Sequence, residues 1–209
     1  QDINETRMFD IVEELRLKGC EIMGRTGDIR NKDTVMSVFL EFQPHLVFNC
    51  AALKTVTPSM QTPREHVQTN VLGVLNLLEV AREFNTEKFI QISTDKAVGC
   101  ENVMGWSKRG AEIFCKIYGR TFVRFGNVMH SEGSVHNAWA KQFKEGSPLT
   151  ITDLEMERYT MTIPQACELL IKAVSIAEPG KGLVMDMGKP KKIIDMKNEL
   201  YGEDYPIKI

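Results

Sequence analysis

Lys88-Phe89-Ile90-Gln91-Ile92-Ser93-Thr94-Asp95-Lys96 is the stretch that decides the fold. Its first five residues form a short apolar run that reads as a buried parallel strand, and the strand ends directly in Ser-Thr-Asp-Lys. A hydroxyl, a carboxylate and an amine therefore sit together at the carboxyl end of a strand, where ligands and chemistry collect in open α/β sheets. Further on, Asn102-Val103-Met104-Gly105-Trp106-Ser107-Lys108 opens a helix. Met104 and Lys108 are one helical turn apart and share a face.

Working outward, strand-like and helix-like segments alternate. Asn4 can cap a helix through about Arg16, with Met8, Ile11, Val12 and Leu15 on one face. A short strand over residues 20–23 and an amphipathic helix over 33–42 follow. Residues 46–52 (Leu-Val-Phe-Asn-Cys-Ala-Ala) read as a second buried strand. Thr62-Pro63-Arg64-Glu65 combines a Thr-x-x-Glu capping box with proline at the first helical position, and predicts one helix to about Phe84. The strand at 88–92, the helix of Met104 and Lys108 and a strand at 122–125 complete the pattern. Such alternation implies a doubly wound parallel sheet of the α/β class. After Gly126 the pieces shorten: a helix near 136–144, extended segments at 149–152 and 158–162, and a helix over 164–177. The expected division is a dinucleotide-binding core over 1–128 and a smaller lobe over 129–209.

Composition narrows the function classes. The net charge of −2 gives no basic face for nucleic acid or anionic membrane. Five scattered cysteines without a Cys-x-x-Cys pair fit reduced thiols in a cytoplasmic setting better than a disulfide framework or zinc site. No apolar run approaches the ~18 residues of a membrane span, and no metal-ligand motif is present. Gly105 to Gly110 has the wrong spacing for a nucleophile elbow. Gly180-Lys181-Gly182 reads as a turn, and no Gly-x-x-Gly-x-x-Gly loop occurs anywhere. The four histidines receive no role.

The ordered series of short motifs carries a resemblance. Gly27-Asp28-Ile29-Arg30, Ala51-Ala52-Leu53-Lys54, Thr69-Asn70-Val71-Leu72-Gly73, Ser93-Thr94-Asp95-Lys96-Ala97-Val98 and Asn102-Val103-Met104-Gly105 come first. Val123-Arg124-Phe125-Gly126-Asn127-Val128, Gly133-Ser134-Val135, Arg158-Tyr159-Thr160-Met161-Thr162-Ile163 and Asp186-Met187-Gly188-Lys189-Pro190 follow. Together these resemble the CapD-like (capsular polysaccharide biosynthesis) branch of the extended short-chain dehydrogenase/reductases, the nucleotide-sugar 4,6-dehydratases. The likeness spans Asp2 to about Leu200. It places Gln1 near the end of a second strand, with the first βα unit upstream. Two departures stand out: Thr55 where the family usually has histidine, and Gly99-Cys100-Glu101 in place of Asn-Pro-Thr.

The resemblance implies NAD or NADP, a UDP-sugar substrate and a homo-oligomer. Of the Tyr-x-x-x-Lys pair of the wider superfamily only Lys108 is present, with Met104 in the tyrosine's position. Lys108 would hold the nicotinamide ribose, Thr94 would bond the sugar C4 hydroxyl, Asp95 would act as acid toward the C6 hydroxyl and Lys96 as base at C5. A thioether can neither donate a hydrogen bond nor act as an acid, which argues against a Tyr-dependent 4-epimerase. Asp2 would meet the adenosine ribose and so favours NAD slightly. Asp28 and Ile29 would meet adenine, Ala51, Ala52 and Leu53 would line the pyrophosphate, and Lys54 is a further cofactor-binding residue. Ser93 and Asn70 complete the cofactor side, Asn70 rather by bracing the backbone. Lys54, Asn127, Ser134, Val135, Thr150, Thr152 and Arg158 would contact the nucleotide-sugar, Arg158 as a phosphate fork. The expected activity is a UDP-N-acetylhexosamine 4,6-dehydratase. A UDP-sugar 4-epimerase and a non-catalytic nucleotide-binding module are the rivals.

Overall fold

A computed structural model describes residues 1–209. They divide into two units, residues 1–122 with 177–182, and residues 123–176 with 183–209.

In the first unit, helix α1 (Glu5–Leu17) starts where the Asn4 side chain accepts the Arg7 N–H at 3.0 Å. Of its apolar face only Val12 is fully buried. Helix α2 (Lys32–Phe42) starts at Asn31, which accepts from the N–H groups of Asp33 and Thr34, and stops at Gln43 in a left-handed conformation with φ 43°. The strand expected at 20–23 does not form. The extended chain here meets a single partner residue, Asp2, which makes one parallel bridge to Thr26. One residue supplies a bridge but no ladder.

Strand β1 (Leu46–Asn49) stops three residues earlier than its apolar run suggests. Short helix α3 (Val56–Gln61) follows, then α4 (Pro63–Val67), a π-helical turn over Gln68–Gly73, and α5 (Val74–Glu83). The expected capping box is not made: the Thr62 side chain makes no cap bond to α4, and its hydroxyl donates to Pro58 O at 3.0 Å. Because α3 ends immediately before it, the hydroxyl finds a carbonyl at that helix end instead. The helix running toward Phe84 is therefore interrupted rather than regular, and the π turn carries buried Asn70.

Strand β2 (Lys88–Thr94) lies parallel to β1, with Leu46 opposite Lys88 and Asn49 opposite Gln91. A 3₁₀ turn over Asp95–Ala97 follows, then helix α6 (Val103–Ile117), capped by Asn102 accepting the Gly105 N–H at 2.9 Å, and strand β3 (Thr121–Phe125). Val35 and Phe39 of α2, Leu78 and Ala81 of α5, Phe89 of β2, and Ala111 and Cys115 of α6 form one buried cluster.

In the second unit, β4 (Asn127–Val128), α7 (Val135–Lys144), β5 (Leu149–Thr150), β6 (Glu157–Arg158), β7 (Thr160–Met161), α8 (Ile163–Ile176), β8 (Gly182–Val184), β9 (Lys191–Lys192), α9 (Ile193–Tyr201) and β10 (Ile207–Lys208) succeed one another. Strand β4 pairs parallel with β7, β5 parallel with β10, and β6 antiparallel with β9. Trp139, Leu149, Ile151, Ile193 and Met196 form its core. The main sheet has the order β1-β2-β3-β8. No helix is long and apolar enough to cross a membrane.

Candidate active site

Where β2 ends, Thr94 keeps an extended backbone and caps the 3₁₀ turn, its hydroxyl oxygen accepting the Lys96 N–H at 3.3 Å. The same hydroxyl donates to Asp95 Oδ1 at 2.9 Å, and Lys96 Nζ donates to that oxygen at 3.1 Å. Both charged side chains are 28% exposed, open enough for a ligand and enclosed enough for their pairing to matter. Hydroxyl, carboxylate and amine are thus drawn together on one turn.

Lys108 lies behind this turn and is buried. One of its three N–H groups donates to Ile92 O at 2.8 Å. Burial pushes its amine down to about 8, against the opposing pull of Cys50, Cys115 and Glu112. Ile92 O also accepts Gln91 Nε2 at 2.8 Å, and Gln91 Oε1 accepts Asn49 Nδ2 at 2.7 Å. A ladder of amides therefore crosses β1 and β2 and ends at the lysine. Met104, one turn earlier on α6, is buried. Its N–H donates to Ser59 Oγ at 3.2 Å, and its carbonyl accepts Ser107 Oγ at 2.8 Å.

Asn70 is buried in the π turn with its amide fully engaged. Nδ2 donates to Leu53 O at 2.8 Å and to Ser107 Oγ at 2.9 Å, while Oδ1 accepts the Leu53 N–H at 2.8 Å. It braces the segment after β1. Ser93 is also buried, and its hydroxyl donates inward to Glu112 Oε1 at 2.6 Å. Ala51, Leu53 and Lys54 are exposed and Ala52 half-buried along the same segment; the Ala51 N–H donates to Asn49 Oδ1 at 3.1 Å.

The other cofactor-side residues lie in the α1–α2 region. Asp2 Oδ1 accepts the Asn4 N–H at 2.7 Å. The Asp28 carboxylate is gripped by Arg30 at 2.7 Å, and that hydrogen bond holds its carboxyl below the usual range. Ile29 is buried in the core cluster against Gly73, where an added Cβ would meet it at 2.7 Å.

The second unit holds the residues expected at the sugar nucleotide. The Asn127 N–H donates to Tyr159 O at 2.8 Å. Ser134 caps α7, with half-buried Val135 as that helix's first residue. Thr150 is tied to Gln142 through its N–H and its hydroxyl at 3.1 and 3.0 Å, and its carbonyl accepts Trp139 Nε1 at 2.9 Å. Thr152 is exposed, and half-buried Arg158 donates to Glu157 O at 2.8 Å.

Sequence reading passed over the groups that support these residues: Asn49, Gln91, Ser59, Ser107 and Glu112. Asn49 and Gln91 were visible as polar interruptions in otherwise apolar strand runs. The serines and Glu112 gave no signal, because helical polar residues ordinarily face water. The donor set suits a nicotinamide ribose: Lys108 has two N–H groups beyond its bond to Ile92, and the Thr94 hydroxyl is half-buried on the same strand end. Residues 1–209 contain no glycine-rich strand-to-helix turn that would receive a pyrophosphate.

The family described as polysaccharide biosynthesis protein matches residues 1–206. Among curated relatives, the capsular polysaccharide biosynthesis protein CapD of Staphylococcus aureus is 42% identical over 206 residues, covering 94% of this chain and 34% of its own length. A UDP-glucose 4-epimerase of Rickettsia bellii is 32% identical, covering 86% of this chain and 57% of its own. The chain thus spans about a third to a little over half of these relatives. Among solved structures, Pen from Bacillus thuringiensis aligns with a TM-score of 0.89 at 33% identity, over 99% of this chain and 68% of that one. The UDP-glucose 4-epimerase of Thermus thermophilus, in complex with NAD, aligns with a TM-score of 0.76 at 24% identity, over 95% of this chain and 81% of that one, which speaks for a shared Rossmann-type fold.

Proposed function

The chain belongs to the polysaccharide biosynthesis protein family, and from that premise we propose that it carries the reaction centre of a UDP-N-acetylhexosamine 4,6-dehydratase. The observation that carries this reading is the joining of Thr94, Asp95 and Lys96 on one hydrogen-bonded turn, with Met104 in place of a tyrosine one turn before Lys108. Epimerisation at C4 needs proton transfer at the C4 oxygen alone. Removing water across C5 and C6 needs in addition a base at carbon and an acid at a leaving hydroxyl, and the turn has one residue of each type to spare.

A nicotinamide, when bound, supplies the oxidation at C4 and the later reduction at C6. Lys108 holds its ribose and places positive charge behind the C4 oxygen. Thr94 orients that oxygen through its hydroxyl. In the resting pair Lys96 Nζ already donates to Asp95 Oδ1. Passing that proton across the hydrogen bond leaves a neutral amine and a carboxylic acid. The amine then takes the C5 proton, made acidic by the C4 ketone, while the acid protonates the departing C6 hydroxyl. Water leaves, and lysine and aspartate return to ammonium and carboxylate. The elimination step closes in protons on this pair alone. The proton released from the C4 hydroxyl on its oxidation goes to water. When C6 is reduced, the Lys96 ammonium returns a proton to C5 and regains one from water. Asp2 favours NAD over NADP; Asn127 and Arg158 take the sugar diphosphate, Ser134, Val135, Thr150 and Thr152 meet the nucleotide, and Lys54 is a further substrate-binding residue.

The full-length enzyme incubated with UDP-GlcNAc is expected to give a 4-keto-6-deoxy sugar nucleotide, identified by mass and by its borohydride-reduced product. Recovery of a C4 epimer alone would replace this reading with the 4-epimerase, which the identity to the Rickettsia bellii enzyme supports.

A further inference from the structure

Glu112 is wholly buried on α6, one turn beyond Lys108, and the proposed chemistry gives it no part. A carboxylate is costly to bury unless paired and hydrogen-bonded. Here it accepts from Ser93 Oγ at 2.6 Å and from Arg109 Nη1 at 2.9 Å. The bond to Ser93 is at the short end for O–H to carboxylate, the charge-assisted range. Ser93 is the residue immediately before Thr94, so the bond anchors the β2 end from which the reactive turn projects.

A second contact fixes the far end of that turn. A Cβ at Gly105 would stand 2.3 Å from the Lys96 carbonyl oxygen. Only a residue without a side chain lets α6 approach the turn so closely. The segment Ser93–Lys96 is therefore held against α6 at both ends, by an acid at one and by a missing side chain at the other.

We propose that Glu112 is a positioning residue: its buried carboxylate clamps Ser93 and, with the close approach at Gly105, holds the Thr94–Asp95–Lys96 turn in register with Met104 and Lys108. This rests on the reading that the turn meets the reacting sugar carbons. Displacing a catalytic group by about 1 Å costs on the order of 100-fold in rate, so a clamp of this kind acts on turnover more than on substrate binding. The sugar nucleotide is expected to be gripped elsewhere in the chain.

The test is a double-mutant cycle in the full-length enzyme. Glu112→Ala and Ser93→Ala are each expected to lower kcat about 10- to 100-fold and to leave KM for the UDP-sugar within about threefold. The double variant is expected to be no worse than the poorer single one, because both remove the same bond. Glu112→Gln keeps an acceptor for Ser93 and should recover most of the kcat lost in Glu112→Ala; it also serves if the alanine variant fails to fold. Additive losses, or losses confined to KM, would overturn the clamp. The cycle is read on whichever C4 product the enzyme forms. A product that is only the epimer would remove the dehydratase reading and leave the clamp to stand or fall by the coupling.

Discussion

The turn at the end of β2 and the short strands of the second unit use polar groups in opposite ways. Around the turn nearly every polar side chain is matched inside the protein: Asn49 to Gln91, Gln91 to Ile92, Lys108 to Ile92, Asn70 to Leu53, Ser93 to Glu112. In the second unit, Trp139 and Leu149 make an apolar core, while Thr150, Thr152 and Arg158 lie on or beside two-residue strands with solvent-exposed or half-buried side chains. Buried networks fix geometry because any movement leaves a partner unsatisfied. Short exposed strands can change side chains with little consequence for the core beneath. Under the proposed function, the contrast is one between a rigid chemical centre and a recognition surface that can vary among sugar nucleotides.

The sharpest way to break that contrast is Lys96→Ala. We expect kcat to fall about 10²- to 10⁴-fold while the Kd for UDP-sugar, measured by calorimetry, changes less than about threefold. An equal loss in binding would place Lys96 with the recognition residues.

The second unit should show its own rigidity elsewhere. Trp139 is fully buried, packs edge-on against Tyr201 and bonds Thr150 O. Trp139→Ala is expected to cost about 3–5 kcal/mol in urea unfolding. A cost under about 1 kcal/mol would mean that the aromatic cluster does not organise this unit.

Lys108 tests the price of rigidity at the turn through pH. Its folded value of about 8 lies below the 10.5 of the free amine, so between those values the unfolded chain holds a proton that the folded protein has released. Its contribution is therefore least favourable below pH 8 and improves as pH rises toward 10.5, by about 3 kcal/mol in full. Lys108→Met should be more stable than wild type at pH 7 by on the order of 1–3 kcal/mol, with Ile92 O still bonded by Gln91, and should be inactive. Chemical unfolding at pH 7 and pH 10 checks it: the gap should shrink at the higher pH. A gap independent of pH would show that the lysine is not desolvated in the native state. In wild type, activity that needs the cation should fall as pH rises through about 8.

The smallest effect is expected at Arg158. Arg158→Lys removes a planar two-pronged donor and keeps the charge. KM for the UDP-sugar should rise about tenfold with kcat unchanged. A fall in kcat instead would move Arg158 toward the chemistry and blur the division between the two regions.

The α/β class and the position of the reactive turn were legible in the sequence because each rests on a local pattern. Apolar runs of strand length bounded by polar clusters announce β1 and β2, and asparagine or serine before an amphipathic stretch announces α1, α6 and α7. Thr94, Asp95 and Lys96 are adjacent in the chain, so their meeting needed no knowledge of the fold. Local pattern failed where a distant partner decides. Residues 20–23 carry strand-like residues but lack a ladder, and Thr62 has the composition of a cap but answers to α3. Tertiary packing alone put Asn70 on Leu53, Glu112 on Ser93 and Lys108 beneath Ile92. These contacts join residues 16 to 19 apart in the chain. No local periodicity encodes such distances; they are selected because a polar group buried away from water must bond to the partners that packing brings within reach.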